Sequence, residues 1–144
     1  MTDRPGIVSH RGVFYPRDLD IMGHVNVVSY LTHFDAATWS FFADVGITPD
    51  WIRGAGFALS AVRYDMQFKK ELLAGDVVTI RSHFTRIGRS SLSYVHEMSN
   101  GATGEVVATA EVTGVLIDRQ ARRSVAFSPD LADRIRAMIE DGTT

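Results

Sequence analysis

The chain has 144 residues, 45% apolar and 22% charged, with a formal net charge of -2 and no cysteine. That size fits one domain spanning 1–144, and the apolar fraction supports a real core and excludes a disordered chain. The scattered Lys and Arg exclude a basic nucleic-acid stripe, the absence of cysteine excludes disulfides, thiolate metal sites and a cysteine nucleophile, and no apolar run approaches the ~20 residues that span a bilayer.

The start, Met1-Thr2-Asp3-Arg4-Pro5-Gly6, lacks the charged and apolar regions of a secretory signal, so a cytoplasmic protein is expected. Residues 7–15 form a mixed apolar run that reads as a strand, broken by Pro16, which cannot donate to a ladder. A loop rich in Asp and Gly follows from Arg17 to Asn26. From Val27 the period changes: Val27, Tyr30, Leu31, Phe34, Ala37, Thr38, Phe41, Phe42 and Val45 recur at steps of three and four. That is one face of a helix about five turns long. Asn26 or Ser29 supplies its N-cap and Gly46 its stop.

Residues 47–56 carry Pro49, Gly54 and Gly56 and read as a loop with a short helical turn. The period then becomes two, with Val62, Tyr64, Met66 and Phe68 on one face of a strand. Gly75-Asp76 marks a turn before Val78, Ile80 and Phe84, and Asn100-Gly101 a hairpin after Leu92, Tyr94, His96 and Met98. Val106 to Ile117 is a long β-branched strand, followed by a polar turn. Ser128-Pro129 is a cap with proline at the first helical position, and Leu131, Ile135, Met138 and Ile139 mark a short amphipathic helix. The expected order is strand, long helix, four strands in meander, short helix. That gives an α+β domain with an antiparallel sheet wrapped around one long helix. Its open sheet edges invite a second copy, so at least a dimer is expected.

The chemistry concentrates between Tyr15 and Tyr30, where Asp18, Asp20, Gly23, His24 and Asn26 crowd before the long helix. A helix start presents unpaired N–H groups and favours negative charge. An attacked carbonyl develops such charge, and a carboxylate one loop upstream can attack it or activate water. The same residues also fit a plain turn and cap. Arg86-Ile87-Gly88-Arg89-Ser90-Ser91 is a second candidate: Gly88 lets backbone approach a ligand and Arg89 pairs with phosphate, although a solvated basic turn explains it too. Lys69 and Lys70 are looser phosphate candidates. His10, His33, His83 and His96 lack short metal-ligand spacing and read as polar or packing residues, so no metal site is expected. Phe34, Trp39, Phe41 and Phe42 read as packing, with a part in an acyl pocket open.

Asp18-Leu19-Asp20-Ile21-Met22-Gly23-His24-Val25-Asn26, followed by Tyr30, resembles the signature of the 4-hydroxybenzoyl-CoA thioesterase family and its YbgC-like relatives. The likeness extends through Phe34-Asp35-Ala36-Ala37, Gly75 to Val78, Arg86 to Ser91, Val115 to Arg119 and Ser128-Pro129. It implies a hotdog fold, with a five-stranded antiparallel sheet around a long helix and a short C-terminal helix. It also implies homodimers or homotetramers with active sites at subunit interfaces. The substrate would be a small or medium acyl-CoA, with no cofactor beyond the CoA it carries. In this reading Asp20 is the catalytic carboxylate, the Val27 N–H polarises the carbonyl, and His24 and Asn26 shape the pocket or position water. Tyr30, Arg86, Gly88, Arg89, Ser90 and Ser91 fall to substrate and CoA binding. Val27 departs from the second Asn common in the family, which removes a side-chain hydrogen bond and makes the acyl pocket more apolar. A thioesterase acting on acyl carrier protein and a non-catalytic acyl-CoA binder stay open as alternatives. The histidine patterns of related hydratases are absent.

Overall fold

The computed structural model describes residues 5–142. Strand β1 (Ile7–Val13) leads through a 3-10 turn at Pro16–Asp18 into helix α1 (Val27–Ala43) and helix α2 (Pro49–Ala55). Strands β2 (Phe57–Phe68), β3 (Val77–Ile87), β4 (Ser91–Asn100) and β5 (Val106–Asp118) follow, then a two-residue strand β6 (Arg123–Ser124) and helix α3 (Pro129–Asp141). All pairings are antiparallel and the order is β1-β3-β4-β5-β2, with β6 added to the end of β5.

The expected five main strands are present, but their meander covers only β3, β4 and β5. β2 pairs with β5 rather than with β3. The link from β2 to β3, residues 69–76, is too long for a tight hairpin and sinks Leu72 fully into the core. β2 also begins five residues earlier than its apolar alternation suggests. A bulge between Ala61 and Arg63 leaves Val62 out of the ladder, so Val62 is exposed while Tyr64 and Met66 are half-buried.

Three helices accompany the sheet, against an expected long one and short one. The stretch 47–56 forms α2, started by Thr48, whose Oγ1 accepts from the Trp51 N–H, and stopped by Gly56 in the left-handed region. α1 has 17 residues and α3 has 13, so the sheet serves more than one helix: α3 buries Leu131 and Ile135 and packs against β3. No helix among the described residues is long and apolar enough to cross a membrane.

α1 forms where its period demands it. Tyr30, Phe34, Ala37, Thr38, Phe41 and Phe42 are its buried residues. Phe41 meets Phe84 of β3 with ring centroids 4.3 Å apart, and Phe42 meets Tyr94 of β4 at 5.2 Å. Phe34 stacks over the fully buried His96 ring at 5.9 Å and 12°.

His96 is held in a chain of hydrogen bonds that crosses four elements. Thr38 Oγ1 donates to the Phe34 carbonyl (3.1 Å), so it accepts from His96 Nε2 (2.7 Å). His96 Nδ1 lies 2.5 Å from Ser82 Oγ, which lies 2.7 Å from Ser9 Oγ, and the Ser9 hydroxyl also faces the Ile80 carbonyl at 3.2 Å. The chain ties β1, β3, β4 and α1 together.

Burial holds His10, His33, His83 and His96 below the ordinary histidine range, His96 down to about 3. The unfolded chain then takes up protons first as the pH falls. Stability is therefore full above the unfolded value of 6.5 and is lost below it. The urea midpoint is expected to fall between about pH 7 and about pH 5, above the range where carboxylates dominate. The slope flattens in His96→Gln, and urea titrations of both proteins at each pH check this.

Candidate active site

The loop before α1 closes on itself before it meets anything else. Leu19 and Val25 form an isolated bridge. The Asp20 N–H donates to the His24 carbonyl at 2.8 Å and the Gly23 N–H to the Asp20 carbonyl at 3.1 Å. Gly23 turns this corner at φ +82, a conformation that side chains disfavour. The loop is then fastened to the body: the Val25 N–H donates to the Leu72 carbonyl (3.0 Å), and His24 Nε2 lies 3.2 Å from Glu71 Oε2.

The two carboxylates of the loop have different surroundings. Asp18 Oδ2 accepts from the Tyr15 N–H (2.7 Å) and its Oδ1 from Ser29 Oγ (3.1 Å). The Tyr15 N–H, helped by Ser29, holds the Asp18 carboxyl below the usual carboxylate range. Asp20 is exposed. Its Oδ1 accepts from the Met22 N–H (2.8 Å) and, more weakly, from the His24 N–H (3.4 Å). Its Oδ2 has no hydrogen-bond partner among the described residues.

Asn26 caps α1, as one of the two expected residues does. Its Oδ1 accepts from the Val28 N–H (2.7 Å), and its carbonyl takes the N–H groups of Ser29 (3.0 Å) and Tyr30 (3.4 Å). Ser29 is not the cap; its hydroxyl goes back to Asp18. That leaves the Val27 N–H as the first-turn amide with no acceptor among the described residues.

Val27 stands on the wall of a cavity of about 250 Å³, together with His24, Val25, Tyr30, Phe68, Lys69, Lys70 and Glu71. Tyr30 meets Phe68 edge-on at 5.0 Å. Burial, with help from Glu71 and Asp76, raises the Tyr30 phenol, which stays a neutral donor. Around this cavity stand Val27, whose amide has no acceptor among the described residues, an apolar wall, Lys69, Lys70 with its Nζ 3.9 Å from Glu105, and Glu71. Asp20 sits one loop away and is not among its lining residues within the single chain.

Arg86, Gly88, Arg89, Ser90 and Ser91 surround the β3–β4 turn. The Gly88 N–H donates to the Ser91 carbonyl (2.8 Å), and a Cβ on Gly88 would lie 2.7 Å from Ser91 Oγ, which would have to rotate away. The Ser90 and Arg89 carbonyls accept from Leu116 and Phe127, which fixes the turn against β5 and the approach to α3. The Arg86 and Arg89 side chains are exposed and make no ion pair among the described residues. This turn lies at the far end of β3 from the Asp20 loop, which is fastened beside residues 71–76. The eleven residues of β3 separate the two by roughly 30 Å at ~3.3 Å per residue. One chain does not bring the two candidate groups together.

Phe68 and Glu71 join the cavity without having been expected there. The alternation of β2 marks Phe68 only as a strand residue, and nothing in the pattern around Glu71 links it to His24, 47 positions away. Lys69 and Lys70, the looser candidates, do lie at the cavity.

The description "Thioesterase-like superfamily" matches residues 14–135. The chain belongs to that superfamily. It is 24% identical over 122 residues to the long-chain acyl-CoA thioesterase FadM of Escherichia coli, covering 85% of this chain and 92% of that one. It is 24% identical over 125 residues to a betainyl-CoA thioesterase of Pseudomonas aeruginosa, covering 87% and 79%. A Staphylococcus aureus protein solved in complex with CoA superposes with a TM-score of 0.87 at 19% identity, over 100% of this chain and 91% of that one. The DHNA-CoA thioesterase of the same organism gives 0.82 at 17% identity, over 94% of each chain. At these identities the structures show a shared fold, the hotdog arrangement of the superfamily.

The cap is the part of the site most directly open to measurement. Asn26→Ala is expected to cost about 1 kcal/mol in urea denaturation, while Asn26→Asp keeps the acceptor and most of the stability.

Proposed function

We propose that this chain is an acyl-CoA thioesterase that hydrolyses a small or medium acyl-CoA to a carboxylate and free CoA. Thioester hydrolysis is the reaction of the superfamily to which it belongs. The observation that carries the finer reading is the Val27 N–H, without an acceptor on a cavity wall, one loop away from a carboxylate oxygen that is also free. A carbonyl oxygen seated at that amide gains a donor as it becomes an oxyanion.

Two routes use Asp20. As general base, it takes a proton from water while the water oxygen adds to the thioester carbon. The tetrahedral oxyanion rests on the Val27 N–H and then collapses, expelling the CoA thiolate, which takes up the proton. As nucleophile, the Asp20 oxygen adds instead, the thiolate leaves, and water cleaves the resulting anhydride. The helix dipole favours the developing negative charge in both. His24, held by Glu71, and Asn26, holding the helix start, keep the mouth in shape. Neither route calls for a metal or other cofactor.

In this reading α1 is the central helix of the hotdog, and the site is completed by a second chain. The Asp20 loop and the Arg86 to Ser91 turn are far apart in one chain, and β2 is an open edge with exposed Val62 and Phe68. Antiparallel pairing of two β2 edges brings opposite ends of the two sheets together. The loop of one protomer then faces the partner's β3–β4 turn, where Arg86 and Arg89 take CoA phosphates, Gly88 admits the ligand and Ser90 and Ser91 offer hydroxyls. A homodimer, or a homotetramer built from it, and a cytoplasmic setting belong to the same proposal. Relatives named for long-chain and for betainyl substrates leave the acyl group to a substrate panel.

Hydrolysis of a panel of acyl-CoAs, followed by thiol release, tests the reading. Asp20→Asn is expected to lower kcat by about 10²- to 10⁴-fold with the fold intact. Arg89→Ala is expected to raise KM by about tenfold, through a lost phosphate contact. Tight CoA-ester binding without turnover in the unmodified protein would contradict it.

A further inference from the structure

Glu71 belongs to the link between β2 and β3 and reaches across to the Asp20 loop, where its Oε2 lies 3.2 Å from His24 Nε2. Beside this pair the Val25 N–H donates to the Leu72 carbonyl at 3.0 Å, so residues 71 and 72 hold residues 24 and 25 at two points. The two ties differ in kind. Leu72 is fully buried and its tie is a backbone bond, which secures the course of the loop whatever side chain stands at 71. Glu71 has 73% of its side chain exposed, and an exposed ion pair adds little to stability. Lys70, next to it, turns to Glu105 at 3.9 Å instead. What the Glu71 tie adds is direction: it fixes where an imidazole ring points.

That ring is the one imidazole on the wall of the cavity that Val27 also lines. With Nε2 giving its hydrogen to Glu71, a neutral ring carries its lone pair on Nδ1. His24 Nδ1 has no hydrogen-bond partner among the described residues. The backbone of the same residue grips Asp20. The His24 carbonyl accepts the Asp20 N–H at 2.8 Å, and the His24 N–H reaches Asp20 Oδ1 at 3.4 Å. Without Glu71 the ring could turn about its side-chain torsions and exchange its two nitrogens. With Glu71 in place, one nitrogen acceptor stands in a set relation to the Asp20 carboxylate and to the Val27 amide.

We propose that Glu71 is a positioning residue for hydrolysis: by holding the Nε2–H of His24, it turns Nδ1 to accept a hydrogen bond from the reacting water. This rests on the thioesterase reading above. Where Asp20 is the base, the water is the one that adds to the thioester carbon. One of its hydrogens bonds to Nδ1 and the other passes to Asp20 as a proton. Where Asp20 is the nucleophile, the water is the one that cleaves the anhydride. In both routes Glu71 touches no reacting atom and acts through the ring, by ordering a reactant before the barrier is reached.

The test compares the full chain with Glu71→Ala, Glu71→Gln, His24→Ala and the double variant of Glu71→Ala with His24→Ala, on the best acyl-CoA of the panel. Glu71→Ala is expected to lower kcat about tenfold, with KM and the urea midpoint unchanged. Glu71→Gln keeps an oxygen acceptor for the Nε2–H and is expected to restore most of that loss. In the His24→Ala background, Glu71→Ala is expected to cost nothing further, because the carboxylate acts only through the ring. An unchanged kcat, an effect confined to KM or to stability, no recovery in Glu71→Gln, or single losses that multiply in the double variant would overturn the proposal. A second measurement needs no turnover. Nitrogen NMR of isotope-labelled histidine at about pH 8.5, above the ordinary histidine range, reads which ring nitrogen carries the proton. The His24 signals are assigned by their loss in His24→Ala. The proton is expected on Nε2 in the unmodified chain, and Glu71→Ala is expected to move the ring toward the tautomer mixture of a free imidazole. The same tautomer balance in both proteins overturns the proposal whatever the kinetics show. If no acyl-CoA is hydrolysed while the ring still responds to Glu71, it is the thioesterase reading that fails, and the orientation of His24 by Glu71 stands.

Discussion

The site depends on Asp18. Its carboxylate holds the Tyr15 N–H on one side and Ser29 Oγ on the other, and its carbonyl accepts from the Asn26 N–H at 2.8 Å. A single residue thus joins the end of the 3-10 turn, the helix cap and the first turn of α1. Because Asp18 absorbs these structural bonds, Asp20 does not have to. One loop carries two carboxylates of the same chemistry, and local hydrogen bonding sorts them: one is spent on architecture, the other keeps an oxygen free. The cap completes the arrangement by taking three of the first-turn amides and leaving Val27.

That helix start is useful only if α1 cannot shift. The aromatic contacts of Phe41 and Phe42 hold α1 to β3 and β4, and the His96 chain fixes its position by directional bonds rather than by apolar contact alone. Misplacing the helix would strand a buried imidazole, a cost of the kind that makes satisfied polar networks specifying. The same helix then carries two cavities along its length, one at its N-terminus and one under Asp35 and Trp39. An enzyme built this way can change its ligand by altering the wall residues of α1 and β2 without disturbing the loop that holds Asp20.

Much of this was legible in the residues because local forces decide it. The start of α1 at Val27, the Asn26 cap, the turns around Gly75 and Gly101 and the Ser128 cap all follow from short-range chemistry. The resemblance around Asp20 and Gly23 pointed to the right superfamily. What was hidden is non-local. The bulge beside Val62 reverses its face without changing the alternation in the sequence. β2 pairs with β5 between residues as far apart in the chain as Tyr64 and Val112, which no local pattern announces. Glu71 reaches His24 only because residues 69–71 run past the loop. His96 looked like one more polar residue on a strand, and only its neighbours on three other elements make it a structural hub.

In the proposed dimer the Asp20 loop of one protomer works with the β3–β4 turn of its partner. The sharing is read by coexpressing two chains that are each impaired at substrate well below KM, one with Asp20→Asn and one with Arg86→Ala and Arg89→Ala together. If the sites are shared, each mixed dimer regains one site with both groups intact, and the mixture recovers roughly a quarter of the unmodified activity. If the mixture hydrolyses acyl-CoA no faster than the average of the two parents, both groups act within one chain and the shared site does not exist.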